Sequence, residues 1–331
     1  MKVLLTGATG FVGSHILDVL VARGIPTTLL VRRPQDLGFA EPHRACVTLA
    51  PGALTDPATL AAALDGITHV LHCAGAVKAV HVEDLFSVNR DGTRHLVAAV
   101  NARGRQIERF VHISSLAVSG PGTAAHPART DTPPHPLSDY GKSKLAAELE
   151  VTRECHVPFV VLRPAAVYGP RDREFLALFK AARSHLVPAI GGGRQELSLV
   201  FSPDLAAVAV DSLSRSLPAP NPTPPIFHVA AREVVTQRQL TEHIARLLGV
   251  RTWSLPIPHF ALSPICAAAG AWGRLTGRAS ILGHGKGHEL SAPGWVANVD
   301  PLERELALRC PTPLTAGLTA TEAWYRERGW L

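Results

Sequence analysis

Glycines at three-residue intervals near the N-terminus restrict the fold of this chain more than any other feature. A short apolar run, Lys2–Leu5, leads directly into Gly7, Gly10 and Gly13. Glycine permits the backbone angles of a tight turn, lets the main chain approach a pyrophosphate, and lets a following helix pack closely on the strand. The pattern predicts a strand, a dinucleotide-binding turn and a helix over Gly13–Ala22, whose first N–H groups would face the phosphates. A strand-to-helix turn with a purely structural role is the alternative.

Apolar strand-like runs alternate with helical patterns along the chain. The predicted strands are Lys2–Leu5, Thr27–Val31, Val70–Cys73, Phe110–Ile113, Phe159–Leu162 and Ile226–Val229. The predicted helices are Gly13–Ala22, Pro57–Leu64, Leu85–Val100, Tyr140–Arg153, Ser202–Leu213, Gln237–Leu248 and Thr319–Arg328. Because the strands are apolar on both sides, they indicate a parallel sheet covered by helices on both faces. The predicted fold class is therefore α/β, a Rossmann-type doubly wound parallel sheet with a smaller C-terminal substrate lobe.

The alternation loosens after about residue 170, which suggests how the chain divides. We expect a dinucleotide-binding Rossmann domain over residues 1–170, with later elements at about 198–230 returning to it. Residues 171–197 and 231–331 would form the substrate-binding lobe. The proline-rich stretch 217–225 is interpreted as a surface connection within this arrangement, because strand and helix signals resume directly after it.

Composition excludes several function classes. The 331 residues carry a formal net charge of +6, but the basic residues are scattered and aromatic residues make up only 5%. This pattern argues against nucleic-acid binding and is better suited to a phosphate-rich cofactor. Five cysteines without CxxC spacing indicate free thiols in a reducing compartment, so a cytoplasmic location is expected. The longest apolar stretch, 257–272, contains Pro264 and Gly270 and is too short to predict a transmembrane helix. The N-terminal apolar run is likewise too short for a signal peptide.

Two arginines follow the second predicted strand, at the position that selects between the two nicotinamide cofactors. An NAD site would place a carboxylate about 20 residues after the glycine turn, where it holds the ribose 2′-hydroxyl. This chain has Val31 there, followed by Arg32 and Arg33. A guanidinium can instead bind a 2′-phosphate. The sequence favours NADP and leaves NAD open, while a solvated arginine pair is the structural alternative.

A tyrosine and a lysine lie four residues apart on one face of a predicted helix. These are Tyr140 and Lys144. A free phenol titrates near 10, and a neighbouring ammonium group would favour the phenolate and lower its pKa toward the working pH. Ser114 and Ser115 end the strand Phe110–Ile113 at the sheet edge, where a hydroxyl can donate to a substrate oxygen. The alternatives are a solvated lysine and an ordinary serine turn.

Six motifs, in order and spacing, resemble the extended short-chain dehydrogenase/reductase family. They are Thr6-Gly-Ala-Thr-Gly-Phe-Val-Gly13, His72-Cys-Ala-Gly75, Asn89-Arg-Asp-Gly-Thr93, Ser114-Ser115, Tyr140-Gly-Lys-Ser-Lys144 and Leu162-Arg-Pro-Ala-Ala-Val-Tyr-Gly-Pro170. The resemblance covers nearly the whole chain, since the segment Glu322–Trp330 is similar to that family's last helix. The pattern is closest to the NAD-dependent epimerase/dehydratases and, among them, to bacterial relatives of 3β-hydroxysteroid dehydrogenases and dihydroflavonol reductases.

The resemblance implies a role for individual residues. Ser115 would be the catalytic serine, Tyr140 the acid/base, and Lys144 the ribose-binding lysine that lowers the tyrosine pKa. The cofactor would further be bound by Gly7, Thr9, Gly10, Phe11, Val12, Gly13, Arg32, Leu54, Ala74, Gly75, Lys78, Pro164 and Val167. One departure is Ala53, which stands where relatives often carry an acidic residue against the adenine.

Further departures from the family pattern concern the substrate. Leu116-Ala117 replaces the Asp-Glu pair that relatives use to eliminate water, so dehydratase chemistry is not expected. Ala166 and Leu197 replace the asparagine and arginine that usually hold a nucleoside diphosphate. A small, rather apolar substrate fits better. The apolar stretch 257–272 would either close the core of the lobe, wall the pocket, or contact a membrane surface peripherally.

The leading hypothesis is an NADP(H)-dependent oxidoreductase that interconverts a carbonyl and a secondary alcohol, with the loop Gly120–Asp139 shaping the entrance. A nucleotide-sugar 4-epimerase and a non-catalytic NADP-binding regulator or assembly protein are the alternatives. His284 and His288 have a spacing that metal sites use, but no carboxylate pattern accompanies them, so no metal is expected. The family resemblance is compatible with a homodimer.

Overall fold

A computed structural model describes residues 1–217, 224–276 and 286–331. The strands are β1 (Val3–Thr6), β2 (Thr27–Val31), β3 (Thr48–Pro51), β4 (His69–His72), β5 (Arg109–Ile113), β6 (Phe159–Pro164), β7 (Ala166–Tyr168), β8 (Leu186–Ile190), β9 (Glu196–Phe201), β10 (Ile226–Val229), β11 (Val234–Thr236), β12 (Trp253–Ile257) and β13 (Gly294–Trp295). The helices are α1 (Phe11–Ala22), α2 (Pro57–Ala63), α3 (Val82–Phe86), α4 (Gly92–Arg103), α5 (Asp139–Glu154), α6 (Glu174–Arg183), α7 (Ser202–Asp211), α8 (Gln237–Leu248), α9 (His259–Thr276), α10 (Lys286–Ser291), α11 (Asp300–Leu306) and α12 (Leu314–Glu327).

The large sheet has seven strands in the order β10-β6-β5-β4-β1-β2-β3, all parallel. On one face, Leu17 of α1 and Leu205 of α7 pack in the same apolar cluster. On the other face, Leu60 of α2, Leu96 of α4 and Val151 of α5 form a second cluster. Strands buried on both faces explain the uninterrupted apolar runs in the sequence. The predicted doubly wound Rossmann sheet is confirmed.

The reversal of strand order between β1 and β4 determines where a ligand can bind. Chain connections run from β1 outward to β3 on one side, and from β4 outward to β10 on the other. In open α/β sheets of this kind, ligands bind at the carboxyl ends of the strands that flank the reversal. The segments that follow β1, β4 and β5 all contain predicted site residues.

The remaining strands form two smaller sheets. One contains β11, β9 and β13, with β7 also paired to β9, and the other pairs β12 with β8 in parallel. Their core contains Phe179, Leu240, Leu318 and Tyr325. β10 joins the large sheet, whereas β7 and β9, which fall largely within the ranges predicted for the Rossmann domain, belong to the smaller sheet. The exact domain boundaries remain a prediction, and residues 218–223 of the proline-rich stretch lie outside the described residues.

One predicted helix is present but contains a turn of different geometry. The expected continuous helix Leu85–Val100 is divided into α3 and α4 by a π-helical turn at Ser87–Asp91. A π turn inserts an extra residue into the helix and often occurs at functional sites. Here it turns the buried Asn89 side chain into a set of hydrogen bonds described below. The periodicity of apolar residues could not reveal this interruption.

Candidate active site

The glycine turn has the geometry of an anion-binding site. Gly7 adopts a positive φ of 79°, and the Gly10 amide donates 3.1 Å to the Gly7 carbonyl oxygen. A Cβ on Gly13 would lie 2.1 Å from that same oxygen, so only glycine lets α1 pack this close to the turn. No side chain caps the helix at Gly10, and its first turn contains no acidic residue. The free N–H groups and the helix dipole therefore favour an anion at this end.

Space for a pyrophosphate lies at Gly10. A Cβ there would meet only the Gly7 carbonyl oxygen within 4 Å, at 3.4 Å. Thr9 and Gly10 are exposed, while Phe11 and Val12 are half-buried. An open glycine backbone above an uncapped helix N-terminus fits the phosphates of a dinucleotide.

Buried polar contacts hold β1 and β4 in register beside the turn. The Thr6 hydroxyl is 2.7 Å from Nδ1 of His72 and accepts a 3.1 Å hydrogen bond from the Ala74 amide. On its other side, His72 Nε2 is 2.9 Å from the Thr93 hydroxyl. Burial lowers the pKa of His72 to about 3, so the ring is neutral. These contacts fix the start of the segment that contains Ala74 and Gly75.

The other predicted cofactor residues lie around the same sheet edge. Arg32 directly follows β2; it is exposed and makes no ion pair with any described residue. Gly75 and Lys78 are exposed on the segment after β4, whereas Pro164, the last residue of β6, is buried and Val167 on β7 is half-buried. Leu54 is only 8% exposed and packs in the apolar core. Its contact with an adenine stays a prediction.

Tyr140 is the tyrosine of this chain that can meet a substrate. It lies in the first turn of α5, a helix capped by the Ser138 hydroxyl, which accepts a 3.1 Å hydrogen bond from the Gly141 amide. Tyr140 is half-buried. The other two tyrosines, Tyr168 and Tyr325, are 2% and 0% exposed in the core of the lobe.

Ser115 lies beside the Tyr140 phenol. Its hydroxyl interacts with the phenol and lowers the phenol's pKa, yet the burial of the site dominates and raises the pKa of Tyr140 to about 12. The Ser115 oxygen also accepts a 3.2 Å hydrogen bond from the Ala117 amide. A hydrogen bond that lowers a phenol's pKa is donated to the phenol oxygen, so the hydroxyl proton of Ser115 is directed toward Tyr140.

Lys144 lies buried on the same helix as Tyr140. It is 4% exposed, and its Nζ donates a 2.7 Å hydrogen bond to the Ile113 carbonyl oxygen at the end of β5. Burial lowers its own pKa to about 8. Burial also dominates the pKa of Tyr140 and raises it, because desolvation opposes the phenolate. That Lys144 lowers the tyrosine pKa when a cofactor is bound stays a prediction.

Lys144 nevertheless faces the predicted cofactor side of the site. Its Nζ would be 3.7 Å from a Cβ built on Gly75. The carbonyl of Ile113 holds the ammonium group between β5 and the segment after β4. Serine, tyrosine and lysine from the sequence prediction thus lie at one edge of the sheet, next to the glycine turn.

Asn89 positions the segment after β4, a role that the sequence did not reveal. Its side-chain oxygen accepts a 2.7 Å hydrogen bond from the Ala76 amide, and its Nδ2 donates 2.9 Å bonds to the Ala76 carbonyl and to the Ser143 hydroxyl. It therefore ties the segment after β4 to α5, one residue before Lys144. The motif Asn89–Thr93 was the one feature of the sequence that could have pointed to this residue.

A buried polar network behind the catalytic edge was not predicted. Glu148 of α5 and Arg163 of β6 form an ion pair whose side chains are 3% and 2% exposed. The Ser114 hydroxyl donates a 2.8 Å hydrogen bond to Glu148, and Arg163 donates a 2.8 Å bond to the Ser119 hydroxyl. Ser119 in turn is 2.7 Å from Nε2 of His228. The network fixes the residue next to Ser115.

The lobe reaches the catalytic helix through α10. The Ser138 hydroxyl hydrogen bonds to the carboxylate of Glu289, which also pairs with Lys286 at 2.7 Å. Glu289 is 7% exposed, and its negative charge is among the influences that raise the Tyr140 pKa. The loop before α5 is also tied to the lobe, since Gly122 and Ala128 form bridges with Trp295 and Ala297.

The residues that distinguish relatives by substrate are placed on neighbouring elements. Leu116 is buried in a 3-10 turn directly after Ser115. Ala166 lies on β7 and Leu197 on β9, and these two strands pair in parallel. Ala166 is exposed and Leu197 half-buried in the apolar core of the lobe. These positions therefore offer neither a charge nor an amide to a substrate.

Only one of the two histidines considered for a metal site lies among the described residues. His284 lies outside the described residues, and His288 is exposed on α10. Across residues 1–217, 224–276 and 286–331 there is no cluster of three metal-ligating side chains. In the same ranges no helix is long and apolar enough to cross a membrane.

The fold and this edge of the sheet define an enzyme of the nicotinamide-dependent Rossmann class. The sequence profile of the NAD dependent epimerase/dehydratase family matches residues 3–223. The chain belongs to that family, and thereby to the extended short-chain dehydrogenase/reductases, as the resemblance implied. Such enzymes use NAD or NADP.

Individual relatives cover almost the whole chain. The ceramide reductase of Caulobacter vibrioides is 30% identical over 99% of this chain and 96% of its own length. A UDP-glucose 4-epimerase of Vibrio cholerae is 28% identical over 85% of this chain and 84% of its own. The solved UDP-glucose 4-epimerase of Thermus thermophilus in complex with NAD has a TM-score of 0.76 at 25% identity, covering 98% of this chain and 99% of that one.

Proposed function

We propose that this protein is an NADP(H)-dependent reductase that converts a carbonyl of an apolar, lipid-like substrate into a secondary alcohol. The observation that carries the proposal is the placement of Tyr140, Ser115 and Lys144 at one sheet edge beside the glycine turn. The bound cofactor supplies the hydride. The chain supplies the proton, the hydrogen bonds and the shape of the site.

Tyr140 acts as the proton donor in this proposal. Burial raises the pKa of its phenol to about 12, so the hydroxyl is protonated at neutral pH. A protonated phenol can give its proton to a carbonyl oxygen as negative charge develops there. The same group would accept the proton in the reverse direction, and because the side chain is only half-buried it can exchange protons with solvent.

Ser115 stabilises the same substrate oxygen. Its oxygen accepts a hydrogen bond from the Ala117 amide, and its proton, directed toward Tyr140, would turn to the substrate oxygen when a substrate binds. Hydrogen bonds aimed at developing charge are worth more in a buried site than in water. Lys144, held by the Ile113 carbonyl and facing Gly75, would bind the ribose of the cofactor. Arg32 would bind the 2′-phosphate of NADP, because it is exposed and lacks an ion-pair partner among the described residues.

An apolar substrate is supported by two independent observations. Ala166 and Leu197 offer no group that could hold a nucleoside diphosphate. One relative that covers nearly all of this chain is named a ceramide reductase, which favours a long-chain amide lipid as the substrate class. A nucleotide-sugar 4-epimerase remains the alternative because of the epimerase relative.

The test is turnover of purified full-length protein with NADPH or NADH and a panel of long-chain ketones, including an oxidised ceramide. We expect cofactor oxidation with a lipid ketone and NADPH. Tyr140→Phe should lower turnover by about 10²- to 10⁴-fold, the usual contribution of a general acid, while cofactor binding measured by fluorescence is retained. Interconversion of UDP-glucose and UDP-galactose without net cofactor oxidation would establish the epimerase instead.

A further inference from the structure

Most of the large apolar side chains that are exposed among the described residues lie on three elements of the lobe. Five large hydrophobic residues, on β8, β12 and α9, form what we name the apolar platform: Leu186, Trp253, Leu255, Phe260 and Ile265. Trp253 is 76% exposed and Phe260 is 84% exposed. Single exposed apolar residues are normal on protein surfaces, but a group of them marks an interaction site.

The fold holds the platform rigidly in this exposed arrangement. Trp253 is the parallel register partner of Leu186, so the two side chains belong to adjacent strands. Helix α9 begins two residues after β12 and is anchored by Leu262 and Cys266, each 3% exposed. Phe260 points to solvent because the buried face of the helix is already occupied by these two residues.

The sequence around the platform lacks acidic residues. Residues 243–288 contain no Asp or Glu, although the whole chain has 27 of them. Among the described side chains, Arg246 and Arg251 are exposed, and Arg251 lies two residues before Trp253. An apolar surface with such a cationic rim is suited to an anionic, amphipathic partner.

We propose that the apolar platform docks on the surface of a bilayer that contains anionic phospholipids. Trp253 and Phe260 would enter the boundary between headgroups and acyl chains, where aromatic side chains are favoured. Arg251 and neighbouring cations would pair with lipid phosphates. A second copy of this chain is a poorer occupant, because a two-fold interface would bring two cationic rims together.

The platform also connects to the active site. Helix α9 packs against α10, whose Glu289 is hydrogen bonded to Ser138, two residues before Tyr140. These contacts connect the element that carries Phe260, through α10, to the helix that carries Tyr140, so a lipid bound at the platform would lie on an element coupled to the proposed site. This delivery role rests on the proposed function, whereas the docking itself does not.

Vesicle flotation of the full-length protein tests the docking without any substrate. The vesicles are either phosphatidylcholine with phosphatidylglycerol or phosphatidylcholine alone. We expect the wild type to bind the anionic vesicles, less so at high salt, and the Trp253→Ser/Phe260→Ser variant to bind at least tenfold more weakly. Arg251→Glu should weaken binding in the same direction. Matched controls are Val82→Ser, a 40% exposed apolar residue on α3, and Arg105→Glu, an exposed cation far along the chain.

Two outcomes would overturn the proposal. One is equal binding by the wild type, the platform variants and the controls. The other is that the wild type does not bind vesicles and light scattering shows it to be a dimer, whereas the platform variants are monomers. That outcome would assign the platform to self-association. Thermal unfolding shows whether each variant is folded. If the double variant is unfolded, the single variant Phe260→Ser replaces it in the flotation experiment. Since the vesicles carry no substrate, a failure of the proposed function would leave this result unaffected.

Discussion

Glu148 and Arg163 form a buried ion pair directly behind the strand end that presents Ser115. The Arg163 Nε lies 3.0 Å from a Glu148 carboxylate oxygen, which also accepts a hydrogen bond from Ser114. Among the described residues, Glu148 is paired with Arg163 and accepts a hydrogen bond from Ser114, and Arg163 also donates one to Ser119. The pair therefore joins α5, which carries Tyr140, to the two strands at the centre of the site.

Removing one partner of this pair should destabilise the protein strongly. Arg163→Met leaves the Glu148 charge buried without compensation, and we expect a loss of about 3–5 kcal/mol in unfolding free energy. Glu148→Gln should cost a similar amount. Urea unfolding of both single variants and of the double variant measures the coupling. A double variant whose loss equals the sum of the two single losses would show that the two charges do not interact.

Gly10 and Gly13 should respond differently to alanine. At Gly13 a Cβ would lie 2.1 Å from the Gly7 carbonyl oxygen, so α1 must shift and the protein should lose roughly 1–3 kcal/mol of stability. At Gly10 the nearest atom is 3.4 Å away, so Gly10→Ala should fold normally. It should, however, weaken cofactor binding at least tenfold, because the methyl group fills the space for the pyrophosphate. Chemical unfolding and fluorescence titration separate the two effects, and unaltered cofactor affinity in Gly10→Ala would contradict the assignment of the turn.

Arg32 should decide the preference between the two cofactors. A hydrogen bond to a charged group contributes about 1.5–3 kcal/mol, so Arg32→Ala should raise the dissociation constant for NADP by about ten- to hundredfold. The constant for NAD should hardly change. Arg105→Ala, which removes an exposed cation elsewhere, is the control. If the wild type binds NAD more tightly than NADP and Arg32→Ala changes neither, the NADP assignment is wrong.

Lys144 should give the stability of the protein a characteristic dependence on pH. Its pKa is lowered from 10.5 to about 8 in the folded protein. Between these two values the unfolded chain binds more protons than the folded one, so stability contributed by this group rises as pH increases through that window. Below about pH 8 both states are protonated, and the full cost of burying the ammonium group applies.

The Lys144→Met variant should lack this rise. Relative to the variant, the wild type should gain stability from pH 8 to 10.5, by at most about 3 kcal/mol. Lys142→Met removes an exposed lysine from the same helix and should show the same profile as the wild type. Unfolding free energies across this range provide the measurement. Parallel profiles for the wild type and Lys144→Met would show that the ammonium group is not buried at a cost.

Much of the large sheet could be read directly from the chain. Strands such as Thr27–Val31 and Ile226–Val229 are buried along almost their whole length, so they are rich in apolar and β-branched residues and their bounds agree with the prediction. The strands of the lobe were missed for the opposite reason. β11 has only three residues, and β12 exposes most of its side chains, so neither has a regular apolar pattern. The strands of the lobe form because each pairs with a strand that is distant along the chain.

Within the candidate active site, local sequence determined which reactive residue types are present, and tertiary structure determined their pKa values and their partners. The glycine spacing, the pair Tyr140 and Lys144, and Ser115 were all visible because their chemistry lies in residue type and short-range order. The pKa of Tyr140 was not, since burial by surrounding elements outweighs any nearby charge. The partners of Glu148 and Asn89 were also hidden, because they lie on other elements.

The apolar stretch 257–272 shows the same division most clearly. Its composition was compatible with a core helix, a pocket wall or a surface contact. Only the packing places Leu262 inside and Phe260 outside. By itself, the sequence determined the class of fold and the nicotinamide-dependent family, because these depend on local patterns. The tertiary structure decided which groups are buried, what charge they can hold and which surface is left exposed, because these depend on residues that are far apart along the chain.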